Sequence, residues 1–121
     1  MNVVDKRGFY AEIFRVLRPG SRFVLDDVLA GTGGTPHYPT PWAETASMSH
    51  LIAPGDLREL LSETGFEVVE WRDKTEMSRD WFLAAIQKRA QGPNPNLGLH
   101  LLIGETGPET FQNVGRNLAE Q

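Results

Sequence analysis

The sequence contains no cysteine among its 121 residues, which removes disulfide cross-links, thiolate metal sites and cysteine nucleophiles together. It also lacks an excess of positive charge, since 12 Lys and Arg stand against 16 Asp and Glu for a formal net charge of −4. A field of that sign repels phosphate backbones and offers nothing to an anionic bilayer, so neither nucleic acid nor membrane is an expected partner. No apolar run approaches the roughly 18 residues of a membrane span, and Met1-Asn2-Val3-Val4-Asp5-Lys6-Arg7 has no signal-peptide core, so a cytoplasmic protein is expected. Internal repeats and low-complexity tracts are missing as well.

What is present suits a folded body. Hydrophobic residues make up 40% of the chain and glycine adds 12 residues, close to the globular average of about 45–50% on the count that includes glycine. The length matches one ordinary domain, so residues 1–121 are expected to form a single domain around one core.

Phe9, Tyr10, Ile13, Phe14, Val16 and Leu17 fall at helical spacing behind Asp5, a candidate N-cap, and Pro19-Gly20 stops that helix. The β-branched and aromatic run Arg22–Leu29 predicts a largely buried strand, and Phe66–Asp73 a second one. Between them a helix is predicted over Pro54–Thr64, with Pro54 in its first turn, Leu57, Leu60 and Leu61 on one face and Gly65 at its end. A further helix is predicted from Glu76 or Met77 to Gln91, with Trp81, Phe82, Ala85 and Ile86 inward. Pro93-Asn94-Pro95-Asn96 breaks it, the apolar piece Leu97–Ile103 follows, and a last helix is expected near Pro108–Ala119. Strand, helix and strand in succession form the unit of a doubly wound α/β sheet. Two strands alone are marginal in water, and buried strands need neighbours on both edges, so part of the sheet is expected to come from elsewhere.

Gly31–Thr45 holds three glycines and three prolines in fifteen positions, a long loop with aromatics in it. Its Gly31-Thr32-Gly33-Gly34 lies where a nucleotide-binding turn would, but Pro36, Pro39 and Pro41 follow in place of a helix N-terminus, so no cofactor phosphate is assigned there. Asp26 and Asp27 point to opposite faces of a strand and cannot easily meet one metal ion, so no metal site is expected. Asp27 is a candidate for lining a site at the strand's C-terminal end, or else caps a neighbouring loop. Trp42, held between Pro41 and Ala43, suits a pocket wall or a methylammonium contact through its π face, or a plug closing the loop onto the core. His37 and His50 read as loop histidines, His100 as a satisfied core histidine, and Glu59, Glu63 and Glu67 as a solvated face.

Met1-Asn2-Val3-Val4-Asp5-Lys6, Phe14-Arg15-Val16-Leu17-Arg18-Pro19-Gly20, the strand with Asp27, Tyr38-Pro39-Thr40-Pro41-Trp42-Ala43, and Gly65-Phe66 with Trp71-Arg72-Asp73-Lys74-Thr75 form a series. It resembles the C-terminal half of a class I S-adenosylmethionine-dependent methyltransferase, and the proline-framed Trp42 with the Trp71–Thr75 stretch is similar to the glycine, sarcosine and dimethylglycine N-methyltransferase branch. The resemblance implies a partial Rossmann-like, doubly wound fold of two or few strands with covering helices. It would lack the N-terminal cofactor-binding half and the last strand, leaving a vacancy between the two strands kept.

By the same resemblance Asn2, Asp5, Lys6, Asp27, His37 and Trp42 are candidate substrate-binding residues, and no catalytic residue is assigned. The cofactor implied is S-adenosylmethionine, which this chain alone is not expected to bind. A small amine is the implied acceptor, and the chain is expected to be inactive by itself. A homo-oligomer, most simply a dimer, or a separate N-terminal half is the expected partner. The alternatives are a non-catalytic module binding a small ligand or partner as a homo-oligomer, and a truncated gene product.

Overall fold

A computed structural model describes residues 1–90 and 104–120. Their packing forms two compact units, residues 1–31 with 49–71, and residues 32–48 with those described from Arg72 onward. The breaker after residue 91, the Leu97–Ile103 piece and His100 lie outside the described residues.

In the first unit α1 covers Lys6–Val16 and α2 covers Pro54–Thr64. Asp5 starts α1 as anticipated: its Oδ1 accepts the Gly8 N–H at 2.9 Å, satisfying one of the amides a helix start leaves without an intrahelical acceptor. Proline opens α2, Asp56 sits in its first turn where a carboxylate suits the helix dipole, and Gly65 closes it. Tyr10 of α1 and Leu57, Leu60 and Leu61 of α2 are the buried apolar residues of this unit, with Ile13, Phe23, Leu29, Ile52, Phe66 and Trp71 packed around them. Edge-on ring contacts extend this core, Tyr10 to Phe23 at 6.5 Å and Phe14 to Phe66 at 5.0 Å. The Arg58 guanidinium lies 4.2 Å from the Trp71 ring centre.

The segments expected as strands, Arg22–Leu29 and Phe66–Asp73, form no ladder among the described residues. Within the first unit they meet through side chains, the Phe23 and Phe66 rings standing 5.7 Å apart. Val24 remains 89% exposed and Val69 75% exposed. The α1–α2 core takes Phe23, Leu29, Phe66 and Trp71 from these segments, while Val24 and Val69 would need a second layer that these residues do not supply.

In the second unit α3 spans Thr75–Ala90 and α4 spans Gly107–Glu120. Asp73 accepts the Thr75 N–H at 2.8 Å, so α3 starts slightly earlier than periodicity suggests. Hydrogen bonds from Thr75 hold the Asp73 carboxyl below its ordinary pKa. The two helices pack through stacked Phe82 and Phe111 rings, 5.8 Å between centres, with Gly115 facing Phe82 and Ile86.

Gly65 has a left-handed φ of 107°, and a Cβ there would come within 2.9 Å of the Phe14 ring. Gly65→Ala thus combines an unfavourable backbone with a displaced ring. We expect a loss of about 1–3 kcal/mol in urea unfolding, whereas Gly55→Ala, with open space around it, should cost far less.

Candidate functional site

The sequence candidates divide between the units: Asn2, Asp5, Lys6 and Asp27 belong to the first, His37 and Trp42 to the second. In the first unit a relay of polar contacts ties the chain start to two other segments. The Met1 nitrogen donates to Asp27 Oδ2 at 2.7 Å, the His50 N–H donates to the Met1 carbonyl at 2.9 Å, and Lys6 Nζ donates to the His50 carbonyl. Lys6 Nζ also donates to the Val3 carbonyl at 2.8 Å. Two residues further on, the Ala30 N–H donates to the Ile52 carbonyl at 3.0 Å, closing the end of the Asp27 segment against the same stretch.

Lys6 and Asp27 are therefore held in one group through Met1 and the His50 backbone. That histidine had read as an ordinary loop residue, and it takes part through its backbone, which residue identity does not signal. Asn2 is exposed, and the Asp5 carboxylate is engaged as the α1 cap. Tyr10 is buried beside this group: burial, and next the charge of Asp27, push its phenol above the ordinary value of 10.0.

In the second unit the loop carrying His37 and Trp42 lies on α4. Asn117 takes the His37 backbone from both sides, its Oδ1 accepting the His37 N–H at 2.8 Å and its Nδ2 donating to the His37 carbonyl at 3.1 Å. Asn113 Nδ2 donates to the Pro39 carbonyl at 3.2 Å. The His37 ring Nε2 meets Glu120 Oε2 at 2.8 Å, and Arg116 Nε stands 3.9 Å from the other oxygen of that carboxylate. Hydrogen bonding to His37 first, then the charges of His37 and Arg116, hold Glu120 below its ordinary pKa.

Beyond His37 a turn closes between Thr40 and Ala43, both buried, with the Thr40 N–H donating to the Ala43 carbonyl at 2.8 Å. Half-buried Trp42 rides on that turn, behind Pro41. Sequence reasoning missed Asn113, Asn117 and Glu120 as partners of the loop. Their spacing of four and three residues puts them on one helical face, and that spacing was the available signal. Thr110 belongs to the same helix, and its buried hydroxyl has no hydrogen-bond partner among the described residues.

The glycines at 31–34 lead into no helix: the next regular element is the three-residue 3₁₀ turn Ala46–Met48. That segment does not assemble the helix-start amides of a cofactor cradle. Among the described residues no group of three His, Asp or Glu side chains could hold a metal ion, and no helix is long and apolar enough to cross a membrane.

Comparison with known proteins finds similarity to methyltransferases. O-methyltransferase resE of Aspergillus sclerotiorum is 32% identical over 116 residues, covering 92% of this chain and 42% of that protein. An O-methyltransferase of Pyrenophora dematioidea is 41% identical over 70 residues, 57% of this chain and 26% of its own length. The arsenite methyltransferase of Halobacterium salinarum is 33% identical over 85 residues, 64% of this chain and 21% of that protein. The chain is methyltransferase-like, and it spans less than half the length of these relatives. No family model and no solved structure matches it.

The Tyr10 phenol gives a direct test of the first group's electrostatics. Because its folded pKa is raised, the associated stability is fully present below about pH 10 and is lost as pH rises through the folded value. Asp27→Asn should bring the phenolate transition in an absorbance titration to lower pH, while burial keeps it above the ordinary value.

Proposed function

We propose that this chain is the substrate-side half of an S-adenosylmethionine-dependent methyltransferase acting on an oxygen nucleophile of a small molecule. The observation that carries the reading is the similarity to resE over 92% of the chain. The amine acceptor implied by the sequence resemblance gives way to oxygen, because the fungal relatives are named O-methyltransferases. In this reading His37 and Trp42 of the second unit supply a wall for the acceptor, and Asn2, Lys6 and Asp27 are polar groups of the first unit considered by themselves. On this reading the chain's own work is holding the acceptor and excluding water. Proximity and a dry surround can supply much of the rate in methyl transfer.

Arg22–Leu29 and Phe66–Asp73 are, on the same reading, two strands of a Rossmann-like sheet completed by a cofactor-binding half or by a second copy of the chain. The exposure of Val24 and Val69 supports this, because unpaired apolar strands seek a covering layer. Sedimentation of the isolated chain at micromolar concentration should show self-association, and Val24→Lys should reduce it. A monomer throughout would argue against the second copy.

The decisive assay is a chimera in which this chain replaces the matching segment of the Aspergillus sclerotiorum protein. We expect it to bind S-adenosylhomocysteine and to methylate members of a panel of phenols and carboxylic acids. The isolated chain should show no micromolar binding of S-adenosylhomocysteine by calorimetry. A chimera that binds the cofactor product yet methylates only amines, or nothing, would overturn the oxygen-acceptor reading.

A further inference from the structure

We propose that Asn117, assisted by Asn113, is the positioning residue for the loop that carries His37 and Trp42: α4 reads the backbone of that loop and thereby sets where the acceptor wall stands. The part concerning the acceptor rests on the function proposed above. The latch itself rests on geometry alone.

The argument begins with the two faces of α4. One packs on α3 through Phe111 and Gly115. The other presents Asn113, Asn117 and Glu120, separated by four and three residues, to the loop. A carboxamide offers one acceptor and two donors in a plane, so it can meet the N–H and C=O of one residue as a neighbouring strand would. Asn117 does so at His37, while Asn113 takes the Pro39 carbonyl two residues on. Both asparagines are buried. A substitution that removes them leaves loop backbone groups unpaired where water has little access, which makes the pairing specific.

The consequence for Trp42 follows from chain connectivity. A long loop rich in glycine and proline has no ladder of its own to fix it. Here it is held at two successive points, the α4 contacts at His37 and Pro39 and the closed Thr40–Ala43 turn. Pro41 stiffens the step between the turn's ends, so the latch sets the course of the backbone that carries the indole. Neither asparagine need touch an acceptor to do this. They act through the loop.

The test uses hydrogen exchange on the full chain, read by NMR at individual amides. Asn117→Ala should speed exchange of the His37 amide by about tenfold or more, the effect of losing one buried hydrogen bond, while the Leu57 and Phe66 amides keep wild-type protection. Asn113→Ala, which removes a single contact, should release the same loop less and serves if the first variant folds poorly. Asn117→Asp retains an acceptor for the His37 N–H and should restore part of its protection. An unchanged His37 amide in Asn117→Ala, or equal loss of protection at Leu57, overturns the latch.

In the chimera described above, Asn117→Ala should raise the acceptor KM by about tenfold with kcat and cofactor affinity near wild type. A released loop with an unaltered KM overturns the positioning role but leaves the latch standing. A chimera without methyl transfer counts against the proposed function, and the exchange data still decide the latch.

Discussion

The first unit depends on one packing contact, the leucine ridge of α2 against Tyr10 of α1. Leu57 is only 1% exposed, and Leu60 and Leu61 complete the surface on which the tyrosine ring rests. Remove that contact and nothing else in the unit has a layer to lie on. The extended segment after α1 reaches the core through Phe23, and the segment after α2 through Phe66 and Trp71. The turn at Gly65 allows this, since its left-handed backbone reverses the chain while its missing Cβ leaves room for Phe14. Hydrophobic burial brings the segments together, and hydrogen bonding between segments is concentrated at Met1, Lys6, Asp27, Ala30 and the stretch from His50 to Ile52.

The second unit is built differently. Its helices meet through aromatic stacking, but the loop is fastened by polar side chains reading main chain. Buried amides cost free energy unless satisfied, so each asparagine works for one loop conformation and against others. That suits a segment with candidate acceptor residues: apolar contact alone would allow the loop to slide, whereas paired N–H and C=O groups define its register. The Glu120 carboxylate adds a contact with the His37 ring at the exposed end of the same face.

Much of this was legible in residue order. The Asp5 cap, the Pro54 start and the Gly65 stop appear where capping chemistry puts them, because those signals act within a few residues. The apolar character of Arg22–Leu29 and Phe66–Asp73 was legible too, but a strand is a relation between segments, and no neighbouring segment among the described residues completes a ladder. Among the candidate residues, Lys6 and Asp27 share one polar group in the first unit. Their link through the His50 backbone was not legible, since main-chain donors and acceptors are the same in every non-proline residue. Asn113 and Asn117 had a visible spacing but no visible target, because the loop they hold lies about eighty positions away in the chain.

The sequence by itself determined that these helices form, the caps of α1 and α2, the loop's irregular course and the similarity to methyltransferases, all of which rest on local backbone chemistry or on residue order. Only the tertiary structure decided which groups meet: Asp27 with the chain start, Lys6 with the His50 carbonyl, and α4 with the backbone of His37 and Pro39. The reason is that capping and periodicity act over a turn or two of chain. The partners of a buried amide or a charged side chain are chosen by packing, which brings distant residues within three ångströms of one another.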